Sequence, residues 1–326
     1  MNPHNMTARL FPGQRGLSLV ELMVAMLIGL LLTLGIGYVY LGSRQTFRTV
    51  EDFSRIQENY RYALDQVGSE VRAAGFSGCV NISINPIPGV PAGTLSPPTH
   101  AIGQALQGYA GAGTWPGPAP APANYVPGTD VLRVVLARGQ GINVTALMAG
   151  ASAVIPIAGN PADVKAGDTL LVSDCTHADA FVAGAVAAAS VTPAAPLQKP
   201  YSSDAEVYQL ADIVYFVGTN VAGNPALYRR QNGDAAEELV ENVENMVLRY
   251  GVDTNTNFAA DDYVAVAAVA DWRNVVAVRL NLVFVSDNNV ATGAQACTVE
   301  GNDCSAADGR LRQVATATYG LRNRLP

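Results

Sequence analysis

The stretch Arg15-Gly16-Leu17-Ser18-Leu19-Val20-Glu21 opens an apolar run that continues to Leu41, and Glu21 is the one charge from Leu17 onward in that run. As a helix rising about 1.5 Å per residue the run would measure about 38 Å, enough to cross a hydrocarbon core of about 30 Å. Arg9 and Arg15 lie upstream with no acidic residue between Met1 and Gly16. That flank is expected to stay cytoplasmic and to send the rest of the chain outward. A secretory signal fits poorly. The run exceeds an apolar signal core of about 7–15 residues, no small-residue cleavage site follows at once, and a carboxylate sits near its start. A plain signal anchor accounts for length and flanks but not for Glu21. An ionisable residue inside a membrane span is costly and marks function.

The same segment explains the composition. The 326 residues have a mean hydropathy of +0.17 although alanine supplies much of the 49% apolar fraction. Nearly all of the positive hydropathy lies in residues 17–41, and the remainder averages close to zero. Charged residues are 14% and the net charge is −7, with Lys165 and Lys199 the only lysines. An acidic chain does not favour a nucleic-acid partner, because phosphate contacts need a basic face. His4, His100 and His177 are the only histidines, which leaves little material for a histidine metal site or a triad. An enzyme is not expected, nor is a cofactor.

Beyond Ser43 the chain turns polar but keeps apolar residues at three- and four-residue steps: Phe47, Val50, Phe53, Ile56, Tyr60, Leu64, Val67, Val71 and Ala74. That spacing predicts one helix over 17–74, amphipathic only in its second half, with Gly75 as the stop. From 81 to 129 prolines crowd the chain, and the stretch reads as a long irregular connection whose run 108–122 is expected to be flexible. Strand patterns follow at 130–137, 142–146, 151–157, 169–172, 181–186, 206–217, 226–230, 246–250, 274–286 and 313–322. The clearest is 274–286, where Val276, Val278, Leu280, Leu282 and Phe284 alternate. The fold class expected is α+β, a long N-terminal helix packed on an antiparallel β-sheet head.

The basic leader, Gly16, the apolar Leu17 and Glu21 at the fifth place after that glycine resemble the N-terminal signal of type IV prepilins and type II secretion pseudopilins. The resemblance implies cleavage between Gly16 and Leu17 by a prepilin peptidase and N-methylation of Leu17. It implies that Glu21 serves assembly by pairing with the α-amine of a neighbouring subunit. The stretch Ala74-Gly75-Phe76-Ser77-Gly78-Cys79 at the helix end, and Gly320-Leu321-Arg322-Asn323 near the C-terminus, resemble the PilW family of minor pilins. By that resemblance the chain divides into a leader (1–16), a transmembrane and filament-core helix (17–42), an amphipathic stalk (43–75), a Pro/Gly-rich αβ loop (76–129) and a β-rich head (130–326). It would be an inner-membrane single-pass protein with a periplasmic head that passes into the pilus, at its tip or base. Other minor pilins, the major pilin, a tip adhesin, the prepilin peptidase and the inner-membrane assembly platform would be its partners. A minor pseudopilin of type II secretion and a membrane-tethered periplasmic binding domain are the alternatives. Gly29, Gly35, Gly37 and Gly42 mark where the apolar helix would allow close approach or lose helical order.

Cys79, Cys175, Cys297 and Cys304 all follow the apolar run and so lie in an oxidising compartment, where an even count favours disulfides. Cys297 and Cys304 are close enough in sequence to close a small ring, which would leave Cys79 for Cys175. A zinc site from Cys175, His177 and the Cys297/Cys304 pair is the alternative, but it lacks the paired-cysteine knuckle. Asp253, Asn255, Asn257, Asp261 and Asp262 suggest a weak calcium loop. Phe258 stands where such a loop needs glycine and Val264 where it needs a bidentate glutamate. Asp174, Cys175 and His177 lack the company a nucleophile needs. Gly139-Gln140-Gly141 lacks the third glycine of a dinucleotide fingerprint. Arg310, Arg312, Arg322 and Arg324 read as a basic, solvated face.

Overall fold

Residues Leu19–Ala73 form one α-helix, α1, in the computed structural model, which describes residues 18–79, 105–160, 162–289 and 296–324. The chain divides into two compact units between Glu51 and Asp52. In the first unit the large apolar side chains of α1 from Leu19 to Val50 are exposed, and the helix is long and apolar enough to cross a membrane. In the second unit Ile56, Ala63, Val67 and Val71 are buried at the expected helical spacing. The stripe starts later than the spacing predicts: Phe47 and Val50 are exposed, and Phe53 is 41% exposed. α1 ends where Gly75 adopts φ 76°, a left-handed conformation that costs glycine nothing. The Gly75 N–H donates to the Val135 carbonyl (2.9 Å) and the Ala137 N–H to the Phe76 carbonyl (2.8 Å), so the helix end is stitched to the sheet.

Nine strands build the larger sheet: β1 Leu106–Tyr109, β2 Val131–Asn143, β3 Ile155–Pro156, β4 Thr169–Ser173, β5 Ala178–Ala187, β6 Ser190–Pro193, β7 Glu206–Thr219, β8 Pro225–Gln231 and β9 Glu237–Glu241. All pairings are antiparallel, in the order β1-β2-β7-β4-β5-β6-β3, with β8 joining β7 to β9. β10 Val243–Val252, β11 Asp262–Val264, β12 Val275–Val285, the short hairpin β13 Thr298–Val299 and β14 Asn302–Asp303, and β15 Arg312–Gly320 follow. They give a four-stranded antiparallel sheet ordered β11-β10-β12-β15 and a separate two-stranded ribbon. The architecture is α+β, with a helix and a large antiparallel head. Gly139, at φ 80°, lies where the β2–β7 register shifts between Arg138 and Ile142, so the Gly-Gln-Gly stretch is a β-bulge.

The main core joins the buried stripe of α1 to one face of each sheet. Leu132, Val134, Ile213 and Tyr215 come from the larger sheet, and Leu248, Leu280, Leu282 and Phe284 from the smaller. Asp130 fastens the sheets together: its carboxylate accepts the N–H groups of Gly111 (2.9 Å) and Leu248 (2.8 Å), and its own N–H donates to Met246. A second core gathers Ile142, Val144, Ile155, Leu170, Phe181, Val191 and Val207 into a lobe inserted between β2 and β7.

Two stretches of the proline-rich segment differ from the sequence expectation. β1 falls inside the segment read as loop, because Leu106 alternates into the core although only four residues pair. The run expected to be flexible is packed instead. Trp115 meets Tyr125 and Phe216 edge-on at 5.1 and 5.3 Å, and the buried Arg230 guanidinium donates to the carbonyls of Pro118 and Pro120. Proline-rich chain offers many carbonyls free of N–H partners, and a buried cation supplies the donors.

Candidate assembly site

Ser18 and Glu21 shape the start of α1. The Ser18 hydroxyl accepts the Glu21 N–H at 3.2 Å, and the Ser18 carbonyl accepts the Leu22 N–H. Ser18 is therefore the N-cap, and Glu21 falls in the first turn, where the helix dipole favours a carboxylate. The Ser-x-x-Glu spacing is that of a capping box, a signal carried by the sequence itself. Among the described residues Glu21 has no cationic partner. A Cβ placed on Gly29, Gly35, Gly37 or Gly42 would meet nothing within 4 Å, so no packing within the described chain requires a glycine there. Gly16 and Leu17, the expected processing positions, and the leader lie outside the described residues, as do residues 80–104 of the αβ loop.

At the other end of α1 a buried charge cluster fixes the helix to the head. The Glu70 carboxylate, 5% exposed, accepts from Arg138, from Arg229 at 3.2 Å and from the Tyr215 hydroxyl. Burial raises Tyr215 to about 12, against the lowering effect of Arg229 and Arg138. Burial and the neighbouring Arg229 lower Arg138. The sheet that faces Glu70 makes it structural. Just beyond, Cys79 is bonded to Cys175 (Cα–Cα 4.8 Å), joining the helix end to the inserted lobe, and Cys297 is bonded to Cys304 (Cα–Cα 4.9 Å) beside the β13–β14 ribbon.

The other candidate ligands are engaged within the fold. With Cys175 and the Cys297/Cys304 pair in separate disulfides, the three cysteines do not share a site with His177, whose Nδ1 contacts the Thr176 hydroxyl at 2.8 Å. Asp174 accepts from Thr176, the His177 N–H and Lys199. Burial opposes its ionisation, but the Lys199 ammonium and these hydrogen bonds hold it well below the usual carboxylate range. In the Asp253 loop, Asp253 accepts the N–H groups of Asn255, Thr256, Asn257 and Phe258, and Asp261 accepts from Thr254 and Asn255. The Asn257 side chain accepts the Ala259 N–H and Asp262 its neighbour Tyr263's. The loop spends its carboxylates on its own backbone. Among the described residues no group of three or more His, Cys, Asp or Glu side chains is arranged to hold a metal ion.

Of the four C-terminal arginines only Arg322 is exposed, so they do not form a solvated face. Arg312 is buried and bidentate to both Glu244 and Asp308, with all four contacts at 2.7–2.8 Å. Arg324 is 2% exposed and donates to the Trp272 and Val275 carbonyls, and burial pushes it down to about 10. Arg310 donates to the Ser286 carbonyl at 2.6 Å. Arginine stems pack along apolar surface and their forked heads reach carbonyls, which a count of charges does not reveal.

Two family models match the chain. One, described as Type IV Pilus-assembly protein W, covers residues 214–323. The other, the prokaryotic N-terminal methylation motif, covers residues 12–37. The first runs from within β7 to the C-terminal turn and includes the whole four-stranded sheet, while the inserted lobe lies before it. No curated protein matches the chain. The methylation motif on an N-terminal apolar helix fits an inner-membrane-anchored pilin with a periplasmic head. The match to the assembly protein implies a structural, non-enzymatic role. A methylation motif at one end of the chain and a match to the assembly-protein family at the other support a PilW-type, prepilin-like protein with a minor-pilin role in the type IV pilus.

Proposed function

We propose that this minor pilin belongs to the inner-membrane complex that primes filament assembly and is then carried to the pilus tip. Its neighbours there are other minor pilins and the major pilin, and its head helps to present a tip adhesin. The prepilin peptidase cuts between Gly16 and Leu17, Leu17 is N-methylated, and the assembly platform extracts the helix from the membrane. The observation that carries this reading is a capped, exposed apolar helix whose first-turn Glu21 lacks a cation among the described residues. Cleavage creates an α-amine four residues before Glu21. A carboxylate in hydrocarbon is costly alone. Pairing with the α-amine of a neighbouring subunit offsets that cost and sets the axial register. The unpacked glycines let neighbouring helices approach closely.

Mass spectrometry of the mature chain tests the processing: N-methyl-Leu17 is expected at the N-terminus, and a retained Met1 refutes it. Glu21→Ala tests the register. Cleavage and membrane insertion should persist while the amount of this chain in sheared pili falls several-fold. Unchanged incorporation would sink the pairing.

A further inference from the structure

We propose that Arg44 and Arg48, just past the apolar half of α1, bind the phosphate groups of anionic lipids in the outer leaflet of the inner membrane. Between Leu22 and Val50 there is no acidic residue, and these two arginines are the only charges. They stand on the flank that faces outward, opposite Arg9 and Arg15. Lys and Arg are normally concentrated on the cytoplasmic side, and that bias sets orientation. Two arginines outside cancel the bias of the two in the leader, so their presence calls for a function that offsets it.

Helix geometry puts them at the right depth. Counted outward from Glu21, the residues to Leu41 rise about 30 Å, the thickness of the hydrocarbon core. Arg44 then lies about 5 Å and Arg48 about 10 Å beyond that edge, where the headgroup layer is about 5–8 Å deep. Side chains on a helix slant toward its N-terminus, which here is back toward the membrane, so the long Arg48 side chain reaches the same layer. Tyr38 and Tyr40, 82% and 59% exposed, sit at the boundary where amphipathic rings collect.

Tyr40, Arg44 and Arg48 recur at four-residue steps and so share one face of α1. The Arg44 guanidinium lies 5.7 Å from the Tyr40 ring centroid, a cation–π contact that steadies it without neutralising it. With Ser43, Phe47 and Glu51 they line a shallow groove. Both arginines are exposed, and among the described residues neither has a carboxylate partner. Glu51, the nearest acid along the chain, already has an interaction of its own. A planar guanidinium presents paired N–H donors that match two phosphate oxygens. A zwitterionic headgroup would bring an ammonium against two cations, whereas phosphatidylglycerol brings only the phosphate charge. The groove therefore selects an anionic lipid.

The test uses the full-length chain in a non-ionic detergent, titrated with phosphatidylglycerol or phosphatidylcholine, with bound lipid counted by native mass spectrometry. Phosphatidylglycerol should bind about tenfold more tightly, and Arg44→Gln with Arg48→Gln should remove most of that preference. Both side chains are exposed, so the double variant keeps its fold, which circular dichroism checks. Arg9→Gln with Arg15→Gln is the control on the inner flank and should leave the preference in place. No preference in the wild-type chain overturns the inference, as does a preference that survives in the Arg44 and Arg48 variant or vanishes in the inner-flank control. Displacement of the lipid by millimolar inorganic phosphate at constant ionic strength also overturns it, in favour of a free-anion site. An Arg44 and Arg48 variant that keeps its lipid preference but is depleted from sheared pili assigns the arginines to a neighbouring subunit and overturns it too. None of these outcomes touches the minor-pilin reading, since the inference needs only a helix in the membrane.

Discussion

Glu70 is the residue whose removal should cost the head most. Its carboxylate, 5% exposed, is shared by Arg229, 11% exposed, by Arg138, 35% exposed, and by the fully buried Tyr215. Glu70→Ala would strand Arg229 and the Tyr215 hydroxyl away from water, while Arg138 would be partly rescued by solvent. Deleting one partner of a buried pair costs about 3–5 kcal/mol, and the exposed arginine adds little, so the expected loss is about 3–4 kcal/mol. For a unit of this size that corresponds to a fall in Tm of roughly 6–15 °C. Glu70→Gln keeps an acceptor for Tyr215 and should cost about half as much. The assay is urea unfolding of the unit from Asp52 to Pro326, followed by circular dichroism, with unchanged m-values as the condition for comparing midpoints. A double-mutant cycle with Arg229→Ala should show positive coupling of about 1–3 kcal/mol. A Glu70→Ala loss below about 1 kcal/mol would refute the view that this cluster holds the helix to the sheet.

Three further outcomes follow from the same geometry. A Cβ at Gly68 would stand 2.3 Å from the Tyr319 ring, whose hydroxyl donates to the Leu64 carbonyl, so Gly68→Ala should destabilise by about 1–3 kcal/mol in thermal melts. An unchanged Tm would show that the ring moves aside freely. Replacing Cys79 and Cys175 by serine opens a loop of 96 residues and should cost about 2–5 kcal/mol, and non-reducing peptide mapping of the wild-type chain should recover both bridges. Tyr215 is raised to about 12 in the folded chain against 10 when unfolded, so its contribution is intact below about pH 10. Between about pH 10 and 12 the unfolded chain loses the proton first, and stability should fall by up to about 2–3 kcal/mol. Urea midpoints that stay flat across that window would contradict it.

The helix, its membrane half and its end were legible because each rests on local chemistry. An apolar run with one charge, apolar residues at helical spacing, and a glycine at the helix end act over a few residues. The long strands were legible for the same reason: in β12 the alternation of Val276 to Phe284 is a property of neighbours. Short strands were not. β1, β6 and the β13–β14 ribbon hold two to four residues each, too few for an alternation to show. The proline-rich run misled for a related reason, since Arg230, which packs it down, lies more than a hundred residues away.

The sequence by itself determined the parts of this protein that depend on one segment and one solvent. These are an apolar helix suited to lipid, a carboxylate five residues after Gly16, and four cysteines beyond the apolar run. Tertiary structure decided what depends on partners brought from afar. It set Glu70 beneath two arginines, buried Arg312 and Arg324 that read as surface, and left Asn242 buried with an unanswered oxygen. Charge and polarity are written in the chain, but desolvation and pairing exist only once distant strands close around them, and those two terms decide whether a polar residue is surface, strut or site.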